Sequence, residues 1–203
     1  ERGLAIAFAP KTTSFGQWSR RLQDYALSPG LRAEASFWLS LAKAETPPFP
    51  LDCPSGANTF GSTSTITRSL DVEATRALLH DVPGAYHTQI TDALLTALLA
   101  TYREWSGENR LRLDLEGHGR EPLFEDVDIS RTVGWFTTLF PVLLETRAGW
   151  GLGQSLKAVK EQLRAIPQHG LGYGVWRYLR ADETAQQLRA GILSAVRFNY
   201  LGQ

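Results

Sequence analysis

Two groups that can transfer protons lie close together in Leu113–Glu121, which reads LDLEGHGRE: Glu116 and His118. A carboxylate beside a crevice can have a raised pKa and act as a general acid or base, and an imidazole can do the same near neutral pH. The alternatives are structural. Glu116 could be a solvated carboxylate paired with Arg112 or Arg120, and His118 a turn residue hydrogen-bonded to backbone. The residue types alone leave these alternatives open.

Other common catalytic patterns do not occur in the sequence. It contains no H-E-x-x-H, no G-x-S-x-G and no Walker A motif, and Cys53 has no evident partner. The glycine-rich stretches GLGQS and GLGYG lack the context of nucleotide-binding loops. We therefore expect no metal site and no cofactor bound directly. The four histidines have no spacing typical of metal ligands; they are His80, His87, His118 and His169.

The stretch 130–141, SRTVGWFTTLFP, places a cation close to several aromatic residues. We expect most of its side chains, Trp135 among them, to pack in the core or at a sheet edge. Arg131 is then expected to pair with a nearby acid, either Asp126 or Asp128. Arg131 and Trp135 are accordingly interpreted as structural residues.

The spacing of apolar residues predicts the elements that position these groups. Leucines alternate with charged residues in RLRLDLEG, residues 110–117, which predicts a strand with Glu116 on its polar face. A β-rich run follows at 133–145, and further strands are expected at 62–70 and 194–202. In the last of these, Asn199 and Tyr200 alternate in direction, so one of these hydrogen-bonding side chains faces away from the core.

Helical periodicity is strongest in residues 87–105, where Thr88 or Thr91 can cap the start and Gly107 follows the end. Its predicted apolar stripe is Ile90, Leu94, Ala97, Leu98, Thr101 and Trp105. Further helices are predicted at 15–25, 31–44, 71–82, 151–166, 175–179 and 184–190, with a glycine-rich loop at 167–174. Because helices and strands alternate, the sequence predicts α/β layers.

Composition limits the possible partners. Lys plus Arg and Asp plus Glu both number 21, a balance that gives no electrostatic signature of nucleic-acid or anionic-membrane binding. No apolar run is long enough to span a membrane. The single cysteine favours a reducing compartment, so we expect a cytoplasmic protein. The sequence starts at Glu1 and contains no Met, which indicates a piece of a longer chain.

Six segments occur along the chain in the order KTTSFGQW, AYHTQITDALLTAL, EGHGRE, SRTVGWFTTLFP, GLGYG and FNYLGQ. Taken in this order they resemble the epimerization domains of non-ribosomal peptide synthetases, which are relatives of the condensation domains. The resemblance spans almost the entire chain, and KTTSF and EGHGRE favour epimerization.

The resemblance implies a chloramphenicol-acetyltransferase-like α/β fold, a two-layer sandwich whose two lobes enclose a tunnel. Residues 1–45 would be the helical end of the N-terminal lobe, 46–61 a Pro/Gly-rich connector, and 62–203 the C-terminal lobe, incomplete at its C-terminus. A carrier domain would bring an aminoacyl or peptidyl thioester into the tunnel on its phosphopantetheine arm.

The resemblance also implies the roles of the site residues. Glu116 would be one of two acid/base groups that epimerize the α-carbon from L to D. Asn199 and Tyr200 would line the site, and His118 would support it. The family's H-H-x-x-x-D-G motif, which supplies the partner histidine, is absent here, so we expect it in an N-terminal lobe upstream and expect this chain alone to be inactive.

Two other functions remain open. One is a condensation domain that forms peptide bonds between carrier-bound substrates. The other is a non-catalytic relative that recruits a partner protein to the synthetase. An isomerase is the hypothesis that the motifs favour, since condensation domains usually carry neither KTTSF nor EGHGRE in this form.

Overall fold

A computed structural model describes residues 9–191 and 194–202. Within these ranges the chain forms nine α-helices and three strands, with short 3₁₀ helices at Phe60–Ser62 and Pro167–Gly170 and a π-helix at Ala77–Asp81. The helices are α1 (Phe15–Ala26), α2 (Pro29–Ala33), α3 (Ala35–Lys43), α4 (Val72–Arg76), α5 (Val82–Tyr86), α6 (Ile90–Ser106), α7 (Leu152–Arg164), α8 (Leu171–Leu179) and α9 (Glu183–Ala190). The strands are β1 (Arg110–Gly117), β2 (Thr138–Glu145) and β3 (Arg197–Phe198). The expected α/β class is therefore confirmed. None of the described helices has the length and apolar character needed to cross a lipid bilayer.

The strands form one sheet in the order β2-β1-β3. The predicted alternation of β1 is confirmed on one side, because Leu111, Leu113 and Leu115 are all buried. The opposite side is less exposed than expected, because Arg112 is buried too. The Arg112 guanidinium donates a hydrogen bond to the Ala44 carbonyl. The charged face of β1 is thus partly enclosed by protein.

The described chain divides into two compact units. The first contains residues 9–43, 115–140 and 166–191, and its core is rich in aromatic rings. Trp18 packs edge-on against Phe124, and Trp38 packs against Phe140 in the same way. The buried Trp176 donates its indole N–H to the Leu31 carbonyl at 3.1 Å. This unit contains the whole of LEGHGRE, together with α1 and α8.

The second unit contains residues 44–114, 141–165 and 194–202, and α6 packs against α7 within it. The predicted stripe of α6 is wrong, because the helix buries Leu95, Leu99 and Tyr102 instead. Trp105, a member of the predicted stripe, is 59% exposed. The segment carries apolar residues on adjoining faces, so its periodicity allowed more than one orientation, and packing decided between them.

The cap of α6 also differs from the prediction. Gln89 is the N-cap, and its backbone N–H donates to the Asp92 carboxylate at 2.8 Å, so neither Thr88 nor Thr91 serves this role. The predicted end is confirmed, since Gly107 adopts a left-handed conformation with φ of 79° directly after the helix.

Three other predictions are wrong in their extent. Residues 63–70 form no strand, and every residue from 51 to 76 is exposed. β-branched residues form a strand only where a partner strand pairs with them, and these exposed residues have no such neighbour among the described strands. The predicted strand at 194–202 shortens to β3. The helix expected at 31–44 is divided into α2 and α3 by Glu34.

Candidate functional site

Glu116 is the penultimate residue of β1 and is partly buried. Arg120, one of the two candidate partners for an ion pair with it, contacts other groups. The Arg120 guanidinium donates to the carbonyls of Ile129 and Thr132 and lies 4.0 Å from the centre of the Phe136 ring. Arg120 therefore ties the turn after β1 to the segment at 129–136.

The two glycines that follow Glu116 are required by close packing. Gly119 has a φ of 67°, and a Cβ there would lie 1.6 Å from the Phe136 carbonyl oxygen. A Cβ on Gly117 would lie 2.8 Å from the Thr138 hydroxyl oxygen. The turn thus needs glycine both for its left-handed backbone and for the approach of β2.

His118 is exposed and takes the turn role proposed as its structural alternative. Its Nδ1 accepts a hydrogen bond from the Arg120 backbone N–H at 3.0 Å. Its Nε2 lies 3.3 Å from Oε1 of Glu121. The imidazole is therefore bonded within the EGHGRE motif itself.

His169 also contacts this motif, and sequence reasoning missed it. Its Nδ1 lies 2.8 Å from Oε2 of Glu121, whose side chain is only 11% exposed. The two residues are 48 positions apart, so no local spacing signalled the contact. The one signal in the sequence was the position of His169, directly before the glycine-rich motif GLGYG. Glu121 consequently lies between the imidazoles of His118 and His169.

From Leu171 onward the GLGYG motif is helical, as the first turn of α8, which corrects the predicted loop. The three residues before α8, which are Gln168, His169 and Gly170, have left-handed backbones. A Cβ on Gly170 would lie 2.1 Å from the Phe140 ring, and one on Gly172 would lie 1.9 Å from Oε2 of Glu34. These glycines make room for neighbouring side chains.

The carboxylate that Gly172 accommodates is buried and hydrogen-bonded. Glu34 accepts from the Tyr25 hydroxyl at 2.8 Å and from the Trp38 indole N–H at 3.0 Å. Burial, followed by the bond to Glu34, raises the pKa of Tyr25 far above its ordinary value. This cluster belongs to the core of the first unit.

The structure places Arg131 and Trp135 at the surface. Trp135 is 83% exposed, whereas its neighbour Phe136 is buried. Asp126 pairs with Arg21, so it is not engaged as the expected partner of Arg131. Hydrogen bonds from Ser130 lower the pKa of Asp128, and the charge of Arg131 adds a smaller effect of the same sign.

Asn199 and Tyr200 follow β3 directly, in the second unit. Asn199 is exposed and Tyr200 is half-buried. Because both residues lie beyond the two-residue strand, the expected alternation along a long terminal strand does not describe them. Their roles in a site stay predictions. Across residues 9–191 and 194–202, no group of three or more His, Cys, Asp or Glu side chains is arranged to hold a metal ion.

The sequence of the chain matches a known protein family. The model of the condensation domain family matches residues 2–203. The chain belongs to the condensation domain family. A linear gramicidin synthase of Brevibacillus parabrevis is 47% identical over 99% of the chain, and a surfactin synthase of Bacillus subtilis (strain 168) is 43% identical over all of it. The chain spans only 4% and 6% of these two relatives.

Solved structures of condensation domain relatives agree with the expected fold. The epimerization domain from the third module of tyrocidine synthetase B has a TM-score of 0.88 and 36% identity, covering 98% of this chain and 44% of that domain. The first condensation domain of the CDA synthetase has a TM-score of 0.60 at 16% identity, covering 83% of this chain and 35% of its own. The chloramphenicol-acetyltransferase-like fold of the family is thereby confirmed for this chain.

Proposed function

We propose that this condensation-family chain belongs to an epimerization domain, which converts an aminoacyl or peptidyl thioester from L to D at Cα. The observation that carries the proposal is the TM-score of 0.88 with the tyrocidine synthetase epimerization domain, against 0.60 to 0.65 for other family structures. The ordered motifs add support, because EGHGRE occupies the strand end where an acid/base group is needed.

The chemistry requires two proton-transferring groups. The carboxylate of Glu116 removes or returns the Cα proton on one face, and the electron pair left behind moves onto the thioester carbonyl oxygen. A second acid then returns a proton to the opposite face, so no proton or electron is gained overall. That second group would be a histidine of an H-H-x-x-x-D-G motif outside this chain.

The substrate and its carrier belong to the same proposal. The thioester would arrive on the phosphopantetheine arm of a carrier domain, as expected for a relative of the gramicidin and surfactin synthases. Asn199 and Tyr200 would hydrogen-bond the enolate oxygen as charge develops there. A cytoplasmic location, expected from the single cysteine, is consistent with a synthetase of this class.

Peptide-bond formation is the second candidate function. It is favoured by one observation, that the matching family model is that of condensation domains as a whole. The two reactions differ at Cα: epimerization exchanges the α-proton with solvent, whereas condensation leaves it in place. A non-catalytic recruiting relative would do neither.

Deuterium incorporation at Cα separates these functions. A substrate loaded on its carrier domain is incubated in D₂O with the full-length protein that contains this chain, and the product is analysed by mass spectrometry. We expect incorporation, and we expect Glu116→Gln to slow it by about 10² to 10⁴-fold because a proton-transferring group is lost.

The matched control is Asp114→Asn, which neutralises the carboxylate two residues earlier on the same face of β1. It should retain incorporation near the unsubstituted rate. Exchange that survives Glu116→Gln at full rate would remove Glu116 from the mechanism. Peptide-bond formation without any exchange would replace epimerization by condensation.

A further inference from the structure

The carboxylate of Glu121 lies between two imidazoles, and each of its oxygens is close to one of them. Oε1 lies 3.3 Å from Nε2 of His118, and Oε2 lies 2.8 Å from Nδ1 of His169. Glu121 is largely buried while both imidazoles are exposed. A carboxylate in such a position requires partners that donate hydrogen bonds to it.

The hydrogen bonds determine which ring nitrogen of each histidine carries the proton. Nδ1 of His118 accepts from the Arg120 backbone N–H, so the proton of the neutral ring resides on Nε2, the nitrogen that lies 3.3 Å from Oε1 of Glu121. His169 donates from Nδ1, so its neutral ring has the opposite tautomer. Each ring therefore carries its proton on the nitrogen nearest to Glu121.

The two histidines belong to turns that meet at the end of β1. His118 follows Gly117, and a Cβ on Gly117 would lie 3.8 Å from the His169 carbonyl oxygen. His169 has a left-handed backbone, with φ of 49°, which is unfavourable for a residue with a side chain. The bond to Glu121 is one contact that stabilises this conformation.

We propose that Glu121 is a positioning residue, which fixes the turn after Glu116 by bridging His118 and His169. The bridge joins the turn of EGHGRE to the turn that precedes α8, and so restricts the backbone from which the Glu116 side chain projects. This role rests on the proposed function of Glu116, because without proton transfer at Cα there is nothing to position.

The first test measures the bridge itself, independently of activity. In ¹⁵N-histidine-labelled protein at about pH 8, where an ordinary imidazole is neutral, long-range ¹H–¹⁵N spectra distinguish the two tautomers. We expect the Nδ1–H form for His169 and the Nε2–H form for His118. The exposed His80 and His87, outside the cluster, provide internal references.

Glu121→Gln should shift His169 away from the Nδ1–H form, because a neutral amide oxygen is a weaker hydrogen-bond acceptor than a carboxylate oxygen. Glu161→Gln is the matched control, since Glu161 is an exposed carboxylate that pairs with Lys160 and Arg164 on α7. It should leave every tautomer unchanged. A His169 tautomer population equal to that of His80 in the unsubstituted protein would overturn the bridge.

The second test measures positioning in the full-length protein. Glu121→Gln should lower the kcat of Cα exchange by about 10 to 10²-fold with little change in KM, because a small misplacement of a reacting group affects the chemical step. Glu161→Gln should change neither. An altered His169 tautomer with unchanged kcat would overturn the positioning role.

The failure of the proposed function gives a different result. In that case Glu116→Gln leaves Cα exchange intact, or no exchange occurs in any variant, while the tautomers of His118 and His169 remain as described. The bridge would then stand as a structural contact, and its catalytic purpose would be refuted together with that of Glu116.

Discussion

Replacement of Gly119 by alanine tests the closest backbone approach in the candidate site. Two costs combine there. The left-handed backbone, with φ of 67°, costs a residue with a Cβ about 1–2 kcal/mol. The new Cβ would also lie 1.6 Å from the Phe136 carbonyl oxygen, and a backbone oxygen cannot rotate away as a flexible side chain would. Overpacking of this kind costs about 1–3 kcal/mol or more. We therefore expect a loss of roughly 2–5 kcal/mol in the free energy of unfolding.

Gly107 provides the matched control. Its φ of 79° is also left-handed, but no atom lies within 4 Å of a Cβ placed there. Gly107→Ala should therefore show the conformational cost alone, about 1–2 kcal/mol. The effect of a Gly→Ala change on the unfolded chain is similar in both variants, so it cancels in the difference. That difference measures the contact between the turn and Phe136.

Urea unfolding followed by tryptophan fluorescence and far-UV circular dichroism gives both free energies by linear extrapolation. Gly119→Ala should unfold at a clearly lower urea concentration than Gly107→Ala. Equal midpoints and equal slopes for the two variants would refute the reasoning, because they would mean that the turn is not held against residue 136.

Two other predictions concern the core and the exposed segment. Burial and the bond to Glu34 raise the pKa of Tyr25, so the folded chain retains a proton that the unfolded chain loses near pH 10. The free energy of unfolding should therefore fall as pH rises above about 10. Tyr25→Phe should flatten that fall, which urea midpoints measured between about pH 8 and 11 would show. The same slope in Tyr25→Phe would exclude Tyr25 as the cause. Residues 51–71 are exposed throughout, so trypsin should cut first after Arg68. Mass spectrometry of the fragments would identify the first cut, and a first cut within α6 would contradict this prediction.

The elements best predicted from the sequence are those with strong local signals. α1 begins at the predicted residue, Phe15, because the Ser14 hydroxyl accepts from the Gln17 N–H and the Gln17 side chain accepts from the Ser14 N–H. Asp71, the first residue of the helix predicted at 71–82, caps α4 by accepting from the Ala74 N–H at 2.7 Å. Such contacts lie within four residues, so the sequence itself contains both partners.

Features that depend on distant partners could not be predicted. Residues 62–70 have strand-forming composition, yet a strand also needs a neighbour to accept its hydrogen bonds. The buried face of α6 was chosen by packing against α7, which the periodicity of α6 alone could not specify. In the site, the position of Glu116 near the end of β1 was predicted from alternation, whereas the Glu121–His169 contact joins residues 48 positions apart.

The glycines of the ordered motifs explain why the resemblance identifies the fold more firmly than the reaction. A Cβ on Gly119, Gly134 or Gly172 would lie 1.6, 2.5 or 1.9 Å, respectively, from another group of the first unit. Close packing accounts for these glycines in this chain, whichever of the two reactions it supports. Among the motif residues, Glu116 is the one whose proposed role differs between the two chemistries. The choice between epimerization and condensation therefore depends on proton exchange at Cα, and on whether that exchange requires the Glu116 carboxylate.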